Sequence, residues 1–203
     1  MDIIEGLKFP MDDEEWVKKV IIGGIIGIIP IVNLIVGGYF VETMKYVITG
    51  KKVLPEWENW GGKFITGICV FIIGLIYFAI PLVVMILLGG LGALVGKNSS
   101  IVGFVLGFVL FIVFGFAMPM AIANYAAKEK LSAAFEFEEI LGRIKSVIGD
   151  YLLAYVVLFI LVFVLDLVSM IPIIGWILSI FAMFYLSLVA VYYFGTLYRE
   201  SSK

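Results

Sequence analysis

The chain has 203 residues, 63% of them hydrophobic and only 15% charged, with a formal net charge of −2. Soluble domains run at about 45–50% apolar and about 25% charged, and a soluble fold of this length still has to cover its surface with polar groups. A water-soluble globule is therefore excluded and lipid is the expected solvent. The near-neutral charge gives no sign of nucleic-acid binding. The absence of histidine removes the commonest metal ligand and general base, and the single cysteine, Cys69, makes no internal disulfide.

In chain order, the opening is acidic (Asp12, Asp13, Glu14, Glu15), unlike the basic start of a secretory signal, so the first apolar run is expected to be a retained membrane element. The acids suit the first turn of a helix, where the dipole favours negative charge. The first apolar block, 17–48, would be about 48 Å long as a straight helix. It reads either as one kinked span or as a hairpin turning at Pro30. The second block breaks at GKNSS into segments at 64–89 and 101–127, with Pro81 and Pro119 inside them. The third is far too long for one ~30 Å crossing and breaks at Pro172, where a helical donor is lost. IPIVNLI around Pro30 echoes IPIIGWI around Pro172. If the second turns the chain, so does the first, at the cost of a short first helix, 17–29, only about 20 Å long, which would have to dip into the membrane or let Lys18 and Lys19 snorkel to the surface.

Basic residues prefer the cytoplasmic side. Six segments (17–29, 31–48, 64–89, 101–127, 149–171, 173–198) put every one of the 14 basic residues except Lys97 on one side. Five spans divide them far less cleanly. The expected fold is therefore all-α: a polytopic transmembrane helical bundle of about six membrane segments in three helical hairpins. It is a single integral membrane domain over 1–203, multi-pass in the cell membrane, with both termini cytoplasmic. Between hairpins, 133–148 places Phe137, Ile140, Leu141, Ile144 and Ile148 at helical spacing, which predicts an amphipathic helix lying in the headgroup plane. Trp16, Trp57 and Trp60 are candidate interfacial anchors.

The order of motifs resembles the membrane family known as domain of unknown function 4013, found in archaea and bacteria. The matching pieces are LKFPMDDEEWVKKVIIGG, IPIVNLIVGGY, LPEWENWGGKFITG, LSAAFEFEEILGRI, GDYLLA and the closing GTLYRE. The resemblance covers nearly the whole chain. It implies a multi-spanning membrane protein without a settled activity, and it brings no catalytic residues.

Few residues stand out chemically. Asp166 is the only acid deep in an apolar run, and charge in lipid is a functional hypothesis by default. Its position near the outer end of its helix also allows a structural pairing with Lys97. Asn33 follows the first proline turn and is expected to bond backbone groups freed there. Glu42 and Lys45, three apart, suggest an exposed pair at the inner surface. Asn124 is placed to bond across helices. Gly23 and Gly27, Gly92 and Gly96, and Gly103 and Gly107 have the spacing of close helix packing. No residue set suggests a metal, a cofactor or catalysis. The expected role is a membrane scaffold, an accessory subunit or a lipid-binding protein, and the alternative is a small transporter or channel. The expected partners are membrane lipids, with a membrane-protein partner or a second copy of the chain beyond them.

Overall fold

The computed structural model describes residues 2–92 and 97–201, with the backbone alone at 97–99. The protein is an all-α bundle. Four of its helices are long and apolar enough to cross a membrane: 60–90, 100–128, 148–169 and 174–200.

The chain opens with α1 (Ile3–Lys8), capped by Asp2, whose carboxylate accepts from the Ile4 and Glu5 amides. A 3-10 turn, Phe9–Asp12, carries Pro10 and leads to Asp13, whose carboxylate accepts from the Glu15 amide as α2 (Trp16–Gly27) begins. That helix stops before Pro30, because the residue ahead of a proline is pushed out of the helical region. After the turn, α3 (Leu34–Ile48) runs back.

The three expected hairpins are present, but four helices rather than six are long enough to cross a membrane. With 12 and 15 residues, α2 and α3 are about 18 and 22 Å long, too short for a ~30 Å hydrocarbon core. They form a hairpin of two short helices. Lys19 does not snorkel either: it turns inward and is 3% exposed.

α4 (Trp60–Val84) is capped by Asn59, which sits in the left-handed region and accepts from the Gly62 amide, and it continues through a π-helical turn, Met85–Gly90. α5 (Lys97–Lys128) returns the chain. A 3-10 turn (Leu131–Phe135) and α6 (Phe137–Ser146) lead into α7 (Ile148–Ser169) and α8 (Ile174–Glu200). The amphipathic helix expected over 133–148 is therefore shorter. Its Ile140 and Ile144 are buried against the bundle, while Phe137 and Leu141 stay exposed. The echo between the proline turns is structural as well: Ile31 and Ile173, each following a proline, both take positive φ, 70° and 66°.

The core lies at the end of the bundle where the connectors gather. Tyr39, Tyr77, Tyr151 and Tyr193 are fully buried there. Their hydroxyls donate to the carbonyls of Pro55 (3.0 Å), Ala134 (2.7 Å), Phe116 (2.8 Å) and Ile3 (2.9 Å), so a large apolar ring is buried without an orphaned polar tip. Glycines set the closest approaches. A Cβ on Gly67 would lie 1.7 Å from the Leu34 carbonyl oxygen, and one on Gly38 would lie 1.9 Å from that of Lys63. Gly103 and Gly107 abut the backbone of Leu88 and Met85, which closes the α4–α5 hairpin, whereas Gly27 faces open space. Gly96 lies outside the described residues.

Candidate functional site

Three polar assemblies occupy the connector end. In the first, Lys19 reaches back from α2 to Asp13 (2.8 Å), Glu56 (2.6 Å) and the Leu54 carbonyl (3.1 Å). Asp13 also accepts from the Leu54 amide, and the Trp57 indole donates to the Lys19 carbonyl at 3.1 Å. The Trp57 ring stacks on Tyr39 with centroids 4.1 Å apart. A charge this deep is retained only with partners, and these join the N-terminal segment, α2 and the connector before α4 into one unit.

In the second, α3, α4 and the end of α5 enclose a cleft of about 340 Å³ lined by Glu42, Lys45, Asn59, Lys63, Thr66, Tyr125 and Glu129 among others. Lys63 is 5% exposed and is held by Glu42 (2.7 Å) and the Glu58 carbonyl (2.8 Å). Lys45 meets Glu129 across the opening, and both side chains are largely in the open. The same three helices line an apolar groove of about 630 Å³ further from the connectors, with Leu34, Gly37, Gly67, Val70, Gly74, Phe78 and Met118 in its walls.

In the third, the buried Asn124 donates to the Ala133 carbonyl (2.9 Å) and accepts from the Tyr198 hydroxyl (2.7 Å). Beside it Lys128 bonds Glu136 and Glu139, and Arg143 grips Glu139 at 2.8 Å. Hydrogen bonding from Lys128 first, and then from Arg143, holds the Glu139 carboxyl down at about 2.

Against this geometry the sequence candidates fall as follows. Asn124 lies at the centre of a cross-helix network. Glu42 and Lys45 are not each other's partners, which corrects the expected i,i+3 pair: the close α3–α4 approach brings Lys63 to Glu42, and Lys45 turns to Glu129. The Asn33 side chain makes no capping bond. The turn closes through the backbone instead, with the Asn33 amide on the Ile29 carbonyl at 2.9 Å, and Asn33 edges the apolar groove. Asp166 is exposed on α7, facing out of the bundle, and the Lys97 side chain lies outside the described residues. Trp16 is half-buried, edge-on to Tyr185, and Trp57 is packed on Tyr39, while Trp60 is exposed.

Sequence reading missed Asp13, Lys19, Glu56, Lys63 and Glu129 as partners. One signal was available: Lys19 sits beside an apolar run, with acids six residues before it and in the next polar connector.

No solved structure matches this chain. An uncharacterized protein of Methanocaldococcus jannaschii is 32% identical over 163 residues, covering 75% of this chain. The chain in turn spans 54% of that relative's length. The profile of the family described as protein of unknown function, DUF4013, matches residues 21–174. On that match, which takes in most of the first hairpin, the cleft and the long apolar helices up to the last turn, the chain belongs to the DUF4013 family.

Proposed function

We propose that the chain is an integral membrane protein, with both termini on the cytoplasmic side, that works by holding lipid rather than by catalysis. The observation that carries this reading is the pairing of two cavities along the same three helices. A polar cleft with two acid–base pairs lies at the connector end of α3, α4 and α5, and an apolar groove follows it toward the far end. A polar head site followed by an apolar trough has the shape of an amphiphile. Ligand sites combine mostly apolar walls with a few placed polar groups, and here the two kinds of wall are segregated along the helices. A scaffold or accessory-subunit role is compatible with this, because bound lipid can mediate contact with another membrane protein.

The transporter alternative would need a polar path through the bundle. Its best sequence candidate, Asp166, faces outward, and the described side chains supporting a polar site gather at one end.

Native mass spectrometry of the protein released from mild detergent tests the reading. Retained lipid at about one copy per chain is the expected result. A stoichiometric water-soluble solute with no lipid would favour transport, and a retained protein without lipid would favour the scaffold role alone. Orientation is tested separately in a Cys69-free background. A cysteine at Lys51 should resist impermeant reagents applied outside intact cells, and labelling there would reverse the topology.

A further inference from the structure

The cleft is balanced in charge. Glu42 and Glu129 face Lys45 and Lys63, two carboxylates against two ammonium groups. The two pairs differ in burial. Lys63–Glu42 is anchored, with the lysine 5% exposed and held by a second acceptor, the Glu58 carbonyl. Lys45–Glu129 closes the mouth, joining α3 to the end of α5, with side chains 45% and 68% exposed. An exposed pair of this kind is weak and easily exchanged, so the mouth opens at little cost while the inner pair stays in place.

The backbone at this cleft is also unusual. Of the four described non-glycine residues with positive φ, two line it: Asn59 at 47° and Glu129 at 55°. Residues held in such conformations cluster at ligand sites, where the surroundings over-determine them.

A ligand with net charge would meet a like charge here whichever its sign. A ligand carrying both signs a few ångströms apart can exchange into the outer pair, its anion going to Lys45 and its cation to Glu129, without leaving either partner bare. Resting on the lipid-holding reading above, we propose that the cleft takes the headgroup of a zwitterionic aminophospholipid of the phosphoethanolamine type, with an acyl chain in the apolar groove. Lys45–Glu129 is the pair that opens to admit it.

The test is a titration of the purified full chain, read by native mass spectrometry. It uses phosphatidylethanolamine and phosphatidylglycerol with identical chains, and free phosphoethanolamine as the chainless probe. The wild type should prefer phosphatidylethanolamine by roughly tenfold, a difference of about 1.4 kcal/mol. Glu129→Gln leaves the cleft with an excess positive charge, so it should erase or invert that preference. Lys45→Gln should weaken phosphatidylglycerol further. Free phosphoethanolamine should bind at least tenfold more weakly than the whole lipid.

Equal or tighter binding of phosphatidylglycerol by the wild type, or a preference unmoved by Glu129→Gln, would overturn the headgroup assignment while leaving lipid holding intact. Free phosphoethanolamine binding as tightly as the lipid would overturn the lipid source and point to a soluble zwitterion. Binding of neither lipid would overturn both readings together. Both substituted residues are exposed and at the cleft mouth, and the wild-type preference is decisive without any variant.

Discussion

The two ends of the bundle are built on different principles, and α8 passes through both. From Phe184 to Tyr198 it is largely buried, whereas Ile174, Trp176, Ile177 and Leu178 are more than half exposed. At the connector end, tyrosine hydroxyls, buried ion pairs and returning loops cross-link all the helices. At the far end the hairpins are closed on themselves by glycine contacts, such as Gly103 against Leu88 and Gly175 against Val168. Phe108 of α5 and Phe159 and Phe163 of α7 are more than half exposed. Lipid tails are as apolar as these side chains, so no hydrophobic force draws the far ends together. Cohesion has to come from polar bonds and close backbone approach, and the connector end concentrates both.

The contrast can be broken or sharpened by substitution. The largest effect is expected where backbones touch. Gly67→Leu would force α3 off α4 at a contact with no room for a Cβ. The cost exceeds the ~1–3 kcal/mol of ordinary overpacking, and the expected readout is loss of the monodisperse peak or a drop of roughly 10 °C in thermal stability in detergent. Gly27→Ala, facing open space, should change little and serves as the control.

Next is Lys19→Met. It leaves Asp13 buried without its cation and should cost about 3–5 kcal/mol in denaturant unfolding. Adding Asp13→Leu should restore part of that loss, and a strictly additive double variant would show that the buried pair is not the unit.

The effect of acid should be smaller. The Glu139 carboxyl lies below its ordinary value of 4.5, at about 2, so its contribution to stability is complete above about pH 4.5 and is lost as pH falls from there toward 2. Glu139→Gln should flatten that part of the pH–stability curve, and an unchanged curve would reject the assignment. Smallest of all, Phe159→Ala at the middle of α7, where the side chain is 72% exposed, should stay within about 0.5 kcal/mol. A large loss there would reveal a partner covering that face.

Much of the far end was legible in the sequence because it obeys simple rules. Apolar runs, proline breaks and the GKNSS interruption locate the four long helices. The echo around Pro30 and Pro172 anticipates two similar turns. Pro30 also made the shortness of the first helix legible, since only about 13 residues of apolar run precede it, roughly 20 Å. The connector end was legible at Asn124, a lone amide in an apolar run, and at Glu42 and Lys45, which line the cleft with other partners than each other. Glu56 reaches Lys19 from the next connector, and Glu42 reaches Lys63 from another helix, brought close by a glycine crossing at Gly38 and Gly67 that has no GxxxG spacing within one helix. Charge pairs across segments leave no local periodicity, so the cleft had to be seen in three dimensions.

The N-terminal segment is fastened by residues made near the other end of the chain. The Tyr185 hydroxyl donates to the Leu7 carbonyl at 2.5 Å and that of Tyr193 to Ile3 at 2.9 Å, across sequence separations of 178 and 190 residues. At about 5–20 residues per second of synthesis, the opening helix waits roughly 10–40 s for its seat to exist. Until α8 is inserted, Phe9, fully buried in the finished protein, has no ring of Tyr192 to lie against. This stretch is made well before α8, yet it is among the last to lock. Its docking reports that α8 has arrived, so a chain stalled before α8 leaves Phe9 and its neighbours without their seat.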